Sequence, residues 1–131
     1  MEIKTGLKGE SMTIVKDGNT AMDFGSGNVP VLATPMLIAL MEGAAINAVE
    51  KFLPDGKTTV GTLIECHHLA ATPKGMTVTA KAELVEFDKR RLFFKVEAYD
   101  EKEKVGEGKH ERFIIDLNKF LERCQEKQEK K

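Results

Sequence analysis

The stretch Thr34-Pro35-Met36-Leu37-Ile38-Ala39-Leu40-Met41-Glu42 constrains this chain more than any other. Thr34 is a good N-cap and Pro35 suits the first helical position, where a missing N–H costs nothing, so a helix is expected to start sharply here. From there Met36, Leu37, Ile38, Leu40, Met41, Ala44, Ala45, Ile46, Val49 and Phe52 leave no broad polar face. Such a helix is wrapped on most sides rather than laid on a surface. Leu53-Pro54-Asp55-Gly56 forbids its continuation, which predicts a span from about Pro35 to about Phe52. Within that span Glu42 stands where a core residue belongs. Stripping water from a carboxylate disfavours its charged form, so Glu42 reads as an acid, base or nucleophile, or else as the partner of a basic residue or a side chain pointing into a solvent gap.

After the helix the period changes. Thr58 to Ala71, Met76 to Phe87, Arg91 to Asp100 and Val105 to Asp116 are rich in β-branched or aromatic residues and predict four strands of one antiparallel sheet. Met76, Val78, Ala80, Ala82 and Leu84 alternate with polar residues, as do Leu92, Phe94, Val96 and Ala98, so one face of the sheet is apolar. Only the helix after Thr34 is long and apolar enough to cover it, and the expected class is α+β, a curved sheet curled around a central helix. Residues 11 to 15 add a short strand closed by the turn Lys16-Asp17-Gly18-Asn19. The loop Gly25-Ser26-Gly27-Asn28-Val29-Pro30 lacks the GK[ST] of a phosphate loop and reads as a plain connection. Leu117 to Lys131 reads as a shorter amphipathic helix, with Leu117, Phe120, Leu121 and Cys124 on one side and a frayed, charged end.

At 131 residues the chain suits a single domain, 1–131. Twenty basic and 21 acidic residues give a net charge of -1, which provides no field for nucleic acid or an acidic membrane. The first eight residues lack the apolar run of a signal peptide, and no stretch is long enough to cross a bilayer, so a cytoplasmic location is expected. Cys66 and Cys124 lie far apart and read as reduced thiols.

The second informative stretch is Val60 to Pro73. Alternation places Ile64, Cys66, His68 and Ala70 on one side, the inward one, and Glu65, His67 and Leu69 on the other. A half-buried Glu42 makes inward-facing His68 a candidate partner, whereas His67 reads as a surface residue and His110 as a structural one. No HxH or HExxH spacing converges on a metal ion, and no metal or cofactor is expected. Cys66 reads as inert filler rather than as a nucleophile.

Gly25-Ser26-Gly27, Val31-Leu32-Ala33-Thr34-Pro35, Leu40-Met41-Glu42, Val60-Gly61-Thr62, His68-Leu69-Ala70-Ala71-Thr72-Pro73-Lys74-Gly75 and Gly106-Glu107-Gly108-Lys109-His110-Glu111-Arg112 together resemble the fluoroacetyl-CoA thioesterase-like branch of the hotdog-fold thioesterases. The likeness covers nearly the whole chain. It implies a hotdog fold, and it places the family's functional threonine, glutamate and histidine at Thr34, Glu42 and His68 and its thioester-side glycine at Gly61. The loop before Thr34 lacks the aromatic lid residues linked with fluorinated acyl groups, so the expected substrate is a small or medium acyl-CoA.

Thioester hydrolysis needs an attacking water or carboxylate and donors for the developing oxyanion. The expected roles are Glu42 as base or nucleophile, His68 as its proton-transferring partner within reach, and Thr34 as a hydroxyl donor at the positive end of the helix dipole. Eight residues separate Thr34 from Glu42, a rise of about 12 Å, too far to serve one carbonyl. A two-fold homodimer with antiparallel helices brings Thr34 of one chain to Glu42 of the other; a tetramer is a further option. Lys74, Lys89, Arg90, Arg91 and Lys109 are candidates for the phosphates of coenzyme A, with nothing to choose among them. The rival readings are an acyl-thioester dehydratase or hydratase on the same fold and a non-catalytic acyl-CoA binding module.

Overall fold

Gly9 and Gly43 set how closely the main layers of this molecule approach. A Cβ at Gly9 would run into the backbone of Ala44 and Ala48, and one at Gly43 would lie 3.1 Å from Ser11 Oγ. Strand β1 (Lys8–Ile14) therefore lies almost backbone to backbone on helix α2 (Thr34–Val49). The computed structural model describes residues 2–129, so the last two residues of the expected C-terminal helix lie outside the described residues.

Among the described residues five strands form one antiparallel sheet: β1, β2 (Lys57–His68), β3 (Thr77–Asp88), β4 (Arg91–Tyr99) and β5 (Lys104–Asp116), in spatial order β1-β3-β4-β5-β2. The sheet curls around α2, as expected. Val78, Ala80, Ala82 and Leu84 of β3 and Leu92, Phe94, Val96 and Ala98 of β4 are buried against the helix, the faces that alternation assigned. From α2 they meet Leu37, Leu40, Met41, Ala44, Ala45, Ala48 and Val49. Burying a Leu, Met or Val fully contributes about 1.5–3 kcal/mol, more than a helix cap at about 1 kcal/mol, so packing rather than capping holds α2.

The helix begins one residue early and ends early. Regular α-helix stops at Val49, and Glu50–Phe52 continue as a 3₁₀ turn before Pro54. Strand β2 stops at His68 rather than Ala71, and beyond it Pro73 forms an isolated bridge with Val31. The loop before α2 contains a short helix, α1 (Ala21–Phe24), absent from the expectation. Thr20 caps it by accepting from the Asp23 N–H, and Gly25 ends it at φ 77°, in the left-handed region that suits glycine. Helix α3 (Leu117–Glu129) is amphipathic, but none of its residues is buried.

Candidate active site

The uncovered face of α2 includes the row Thr34, Ile38, Glu42 and Ile46, one every four residues and all exposed or half-buried. Both polar candidates of the helix lie on it.

Thr34 does not cap the helix. Ala33 occupies the N-cap position without a side-chain hydrogen bond, and Thr34 is the first helical residue. Its freed hydroxyl instead lies 2.7 Å from Nδ1 of His68, the last residue of β2. Burial holds the His68 imidazole below its ordinary 6.5, so the ring is neutral near pH 7. Nδ1 is engaged, while the buried Nε2 has no hydrogen-bond partner among the described residues. A buried polar atom without a partner is uncommon in a folded chain. Thr34 and His68 line a cavity of about 380 Å³ with Ser26, Gly27, Val29 and Leu32.

Glu42 sits elsewhere. Its side chain, 39% exposed, faces Gly61, where a Cβ would come within 2.8 Å of Oε2. Arg112 Nη1 lies 3.7 Å from the same oxygen, an ion pair rather than a hydrogen bond. The guanidinium is almost fully buried and otherwise held by Thr59, Nε donating to Oγ1 at 2.8 Å and Nη2 to the carbonyl at 3.0 Å. Burial pulls Arg112 below its ordinary value, and Glu42 and Glu50 oppose the shift. His110 completes the cluster.

Gly61 and His68 are seven residues apart on β2, about 20 Å. The expected contact of Glu42 with His68 therefore does not occur within one chain: β2 brings Gly61 to Glu42 at one end and His68 to Thr34 at the other. The two face the same side because of a β-bulge. Gly61 pairs with Arg112 and Leu63 with Glu111, leaving Thr62 without an opposite residue. Even positions face inward from Ile64 to His68, as expected, but ahead of the bulge Thr59 and Gly61 do. Arg112 and His110 were missed as partners of Glu42. The available signal was the pattern Gly106, Gly108, His110, Arg112, two small and two polar residues on the inward face of a strand.

The remaining sequence candidates lie apart. His67 is exposed and bonds Glu65 at 3.1 Å, and Cys66 is half-buried with its thiol pushed up by burial. Lys74 is tied to Asp17, Arg91 lies 4.0 Å from Glu111, and Arg90 stacks over Phe113. Lys109 lines a larger cavity, about 740 Å³, with His67 and Lys95, which contains none of Thr34, Glu42, Gly61 and His68. Among the described residues no group of three His, Cys, Asp or Glu could hold a metal ion.

A long helix wrapped by this sheet, with a hydroxyl–imidazole pair and a carboxylate on its uncovered stripe, defines a hotdog-fold enzyme of the thioesterase superfamily. A crystal structure of a Thermus thermophilus protein described as a member of that superfamily matches with a TM-score of 0.87 at 29% identity, over 97% of this chain and 96% of that one. Residues 15–118 match the family described as fluoroacetyl-CoA-specific thioesterase, and the chain belongs to that family. It is 42% identical to the fluoroacetyl-CoA thioesterase of Streptantibioticus cattleyicolor over 97 residues, 74% of this chain and 70% of that protein. A crystal structure of a point mutant of the fluoroacetyl-CoA-specific thioesterase superposes with a TM-score of 0.90 at 33% identity, over 97% of this chain and 98% of that one. The chain is thus a thioester hydrolase.

Proposed function

We propose that this enzyme hydrolyses a small or medium acyl-CoA to the free acid and CoA at sites shared between two copies of the chain in the cytoplasm. One observation carries the reading. The chain holds two incomplete halves, Thr34 with His68 and its unpartnered Nε2, and Glu42 over Gly61 beside Arg112, set on one stripe of α2. An isologous pairing of that stripe, antiparallel to its copy, brings the first half of each chain to the second half of the other and makes two equal sites. Ile38 and Ile46 supply the apolar contact.

In this reading the thioester carbonyl sits between Gly61, which admits a close backbone approach, and the partner's hydroxyl–imidazole pair. Glu42 takes a proton from water or attacks the carbonyl carbon itself, His68 is its proton-transferring partner, and Thr34 donates toward the oxygen that gains charge. Collapse of the tetrahedral adduct breaks the C–S bond and the thiolate leaves as CoA–SH; an acyl-Glu42 anhydride, if formed, is then opened by water. Cys66 and Cys124 are free, which supports the cytoplasmic assignment.

Free thiol release from a panel of acyl-CoAs tests the reading, with an enoyl-CoA absorbance assay in parallel. Thiol release from short acyl chains, lost in Glu42→Gln and His68→Ala, is expected. Unchanged turnover in both variants would remove the assignment.

A further inference from the structure

His110 is 1% exposed, yet each of its ring nitrogens has a partner that fixes it. Nδ1 lies 2.7 Å from the carbonyl oxygen of Leu63. A carbonyl only accepts, so Nδ1 carries the proton. Nε2 lies 3.2 Å from Arg112 Nη1, and a guanidinium only donates, so Nε2 presents a lone pair. The two contacts together require one state, a neutral ring protonated on Nδ1. Burial and the Arg112 charge favour that state, while the Leu63 carbonyl, Glu42 and Glu111 oppose it. Phe94 packs over the ring with centroids 6.1 Å apart.

The consequence falls on Arg112. Thr59 takes Nε and Nη2, His110 takes one proton of Nη1, and Glu42 Oε2 is the remaining neighbour of Nη1. Three of these groups converge on one spot: a Cβ at Gly61 would lie 2.8 Å from Glu42 Oε2, 3.3 Å from Arg112 Nη1 and 3.4 Å from His110 Cε1. Leu63, whose carbonyl anchors the ring, is the residue at which pairing resumes after the bulge.

We propose that His110 is a positioning residue, which aims Arg112 Nη1 at Glu42 by accepting from it and thereby holds the Glu42 carboxylate over Gly61. The proposal rests on the thioesterase reading for its effect on turnover, but not for its effect on Arg112.

Two substitutions separate aiming from mere packing. An Asn amide can reproduce the donor at the Nδ1 position, and a Gln oxygen the acceptor at the Nε2 position. His110→Asn restores the Leu63 bond without the acceptor for Arg112, and His110→Gln does the reverse. Misplacement of a catalytic group by about 1 Å costs about a hundredfold, so kcat is expected to fall about tenfold to a hundredfold in His110→Asn and within about threefold in His110→Gln, with KM little changed. A structural role predicts that kcat follows melting temperature in both variants, and that outcome overturns the proposal. So does a further loss when His110→Asn is added to Arg112→Ala, because a residue acting through Arg112 has nothing left to act on. Nitrogen-15 spectra of histidine-labelled protein read the ring without reference to catalysis. A proton on Nδ1 and a bare Nε2 at pH 7 are expected for His110, and a proton on Nε2 overturns the proposal whatever the enzyme hydrolyses.

Discussion

Gly61 leaves its space to Glu42: with the carboxylate where it stands, a methyl group at Gly61 would come within 2.8 Å of Oε2. The neighbour is the far end of a half-exposed side chain, which can move aside. Gly61→Ala is therefore expected to leave the melting temperature almost unchanged while lowering kcat about tenfold to a hundredfold by displacing the carboxylate. Thermal melts beside steady-state kinetics check this; full turnover in the variant would contradict the placement of Glu42.

Subunit exchange tests the division of the site between chains. Thr34→Ala and Glu42→Ala proteins should each be nearly inactive alone. Mixed at equal concentration and re-equilibrated, half of the dimers contain one of each chain and one intact site in two, so about a quarter of the wild-type rate should return. Absence of recovery, with exchange proven by mass-tagged chains, would put the whole site within one subunit.

Acid should destabilise the fold from about pH 6.5 downward. The His68 and His110 imidazoles are both held below 6.5 by burial. In the window between those lowered values and 6.5 the unfolded chain binds more protons than the folded one, so stability rises with pH there. It is fully present above pH 6.5 and lost as the pH falls through the folded-state values. Melting curves between pH 5 and 8 should show that slope, shallower in His68→Gln, and a flat profile would show that neither ring is perturbed.

Gly9→Ala should weaken the fold without touching the chemistry. Its methyl group meets the backbone of Ala44 and Ala48, which cannot yield as a side chain tip can. Overpacking of this kind costs about 1–3 kcal/mol, and sometimes more. Denaturant titration should report that loss, with kcat per folded enzyme near wild type.

The faces of β3 and β4 were legible because each repeats one alternating signal over many residues, and helix α2 because it is apolar on most sides between a proline start and a Pro-Asp-Gly stop. Thr34 was misread as a cap because a hydroxyl at a helix start has two possible uses, and only the position of β2 decides for His68. The α1 turn escaped notice because four residues carry too little pattern. The Glu42 cluster was half visible. Glu42 stood out in an apolar helix, but its company, Arg112, His110 and Thr59, is assembled by the register of β2 against β5, which alternation alone does not give.

Thr62 shows what that register controls. Its unpaired residue reverses the facing of β2 halfway along, so an odd-numbered glycine and an even-numbered histidine look toward the same wall. Transplanting this arrangement to another sheet, or aligning a distant relative to it, thus depends on keeping the count between the two residues. Drawing Thr62 into a regular ladder while keeping all seven steps would turn the imidazole toward solvent without altering a single functional group.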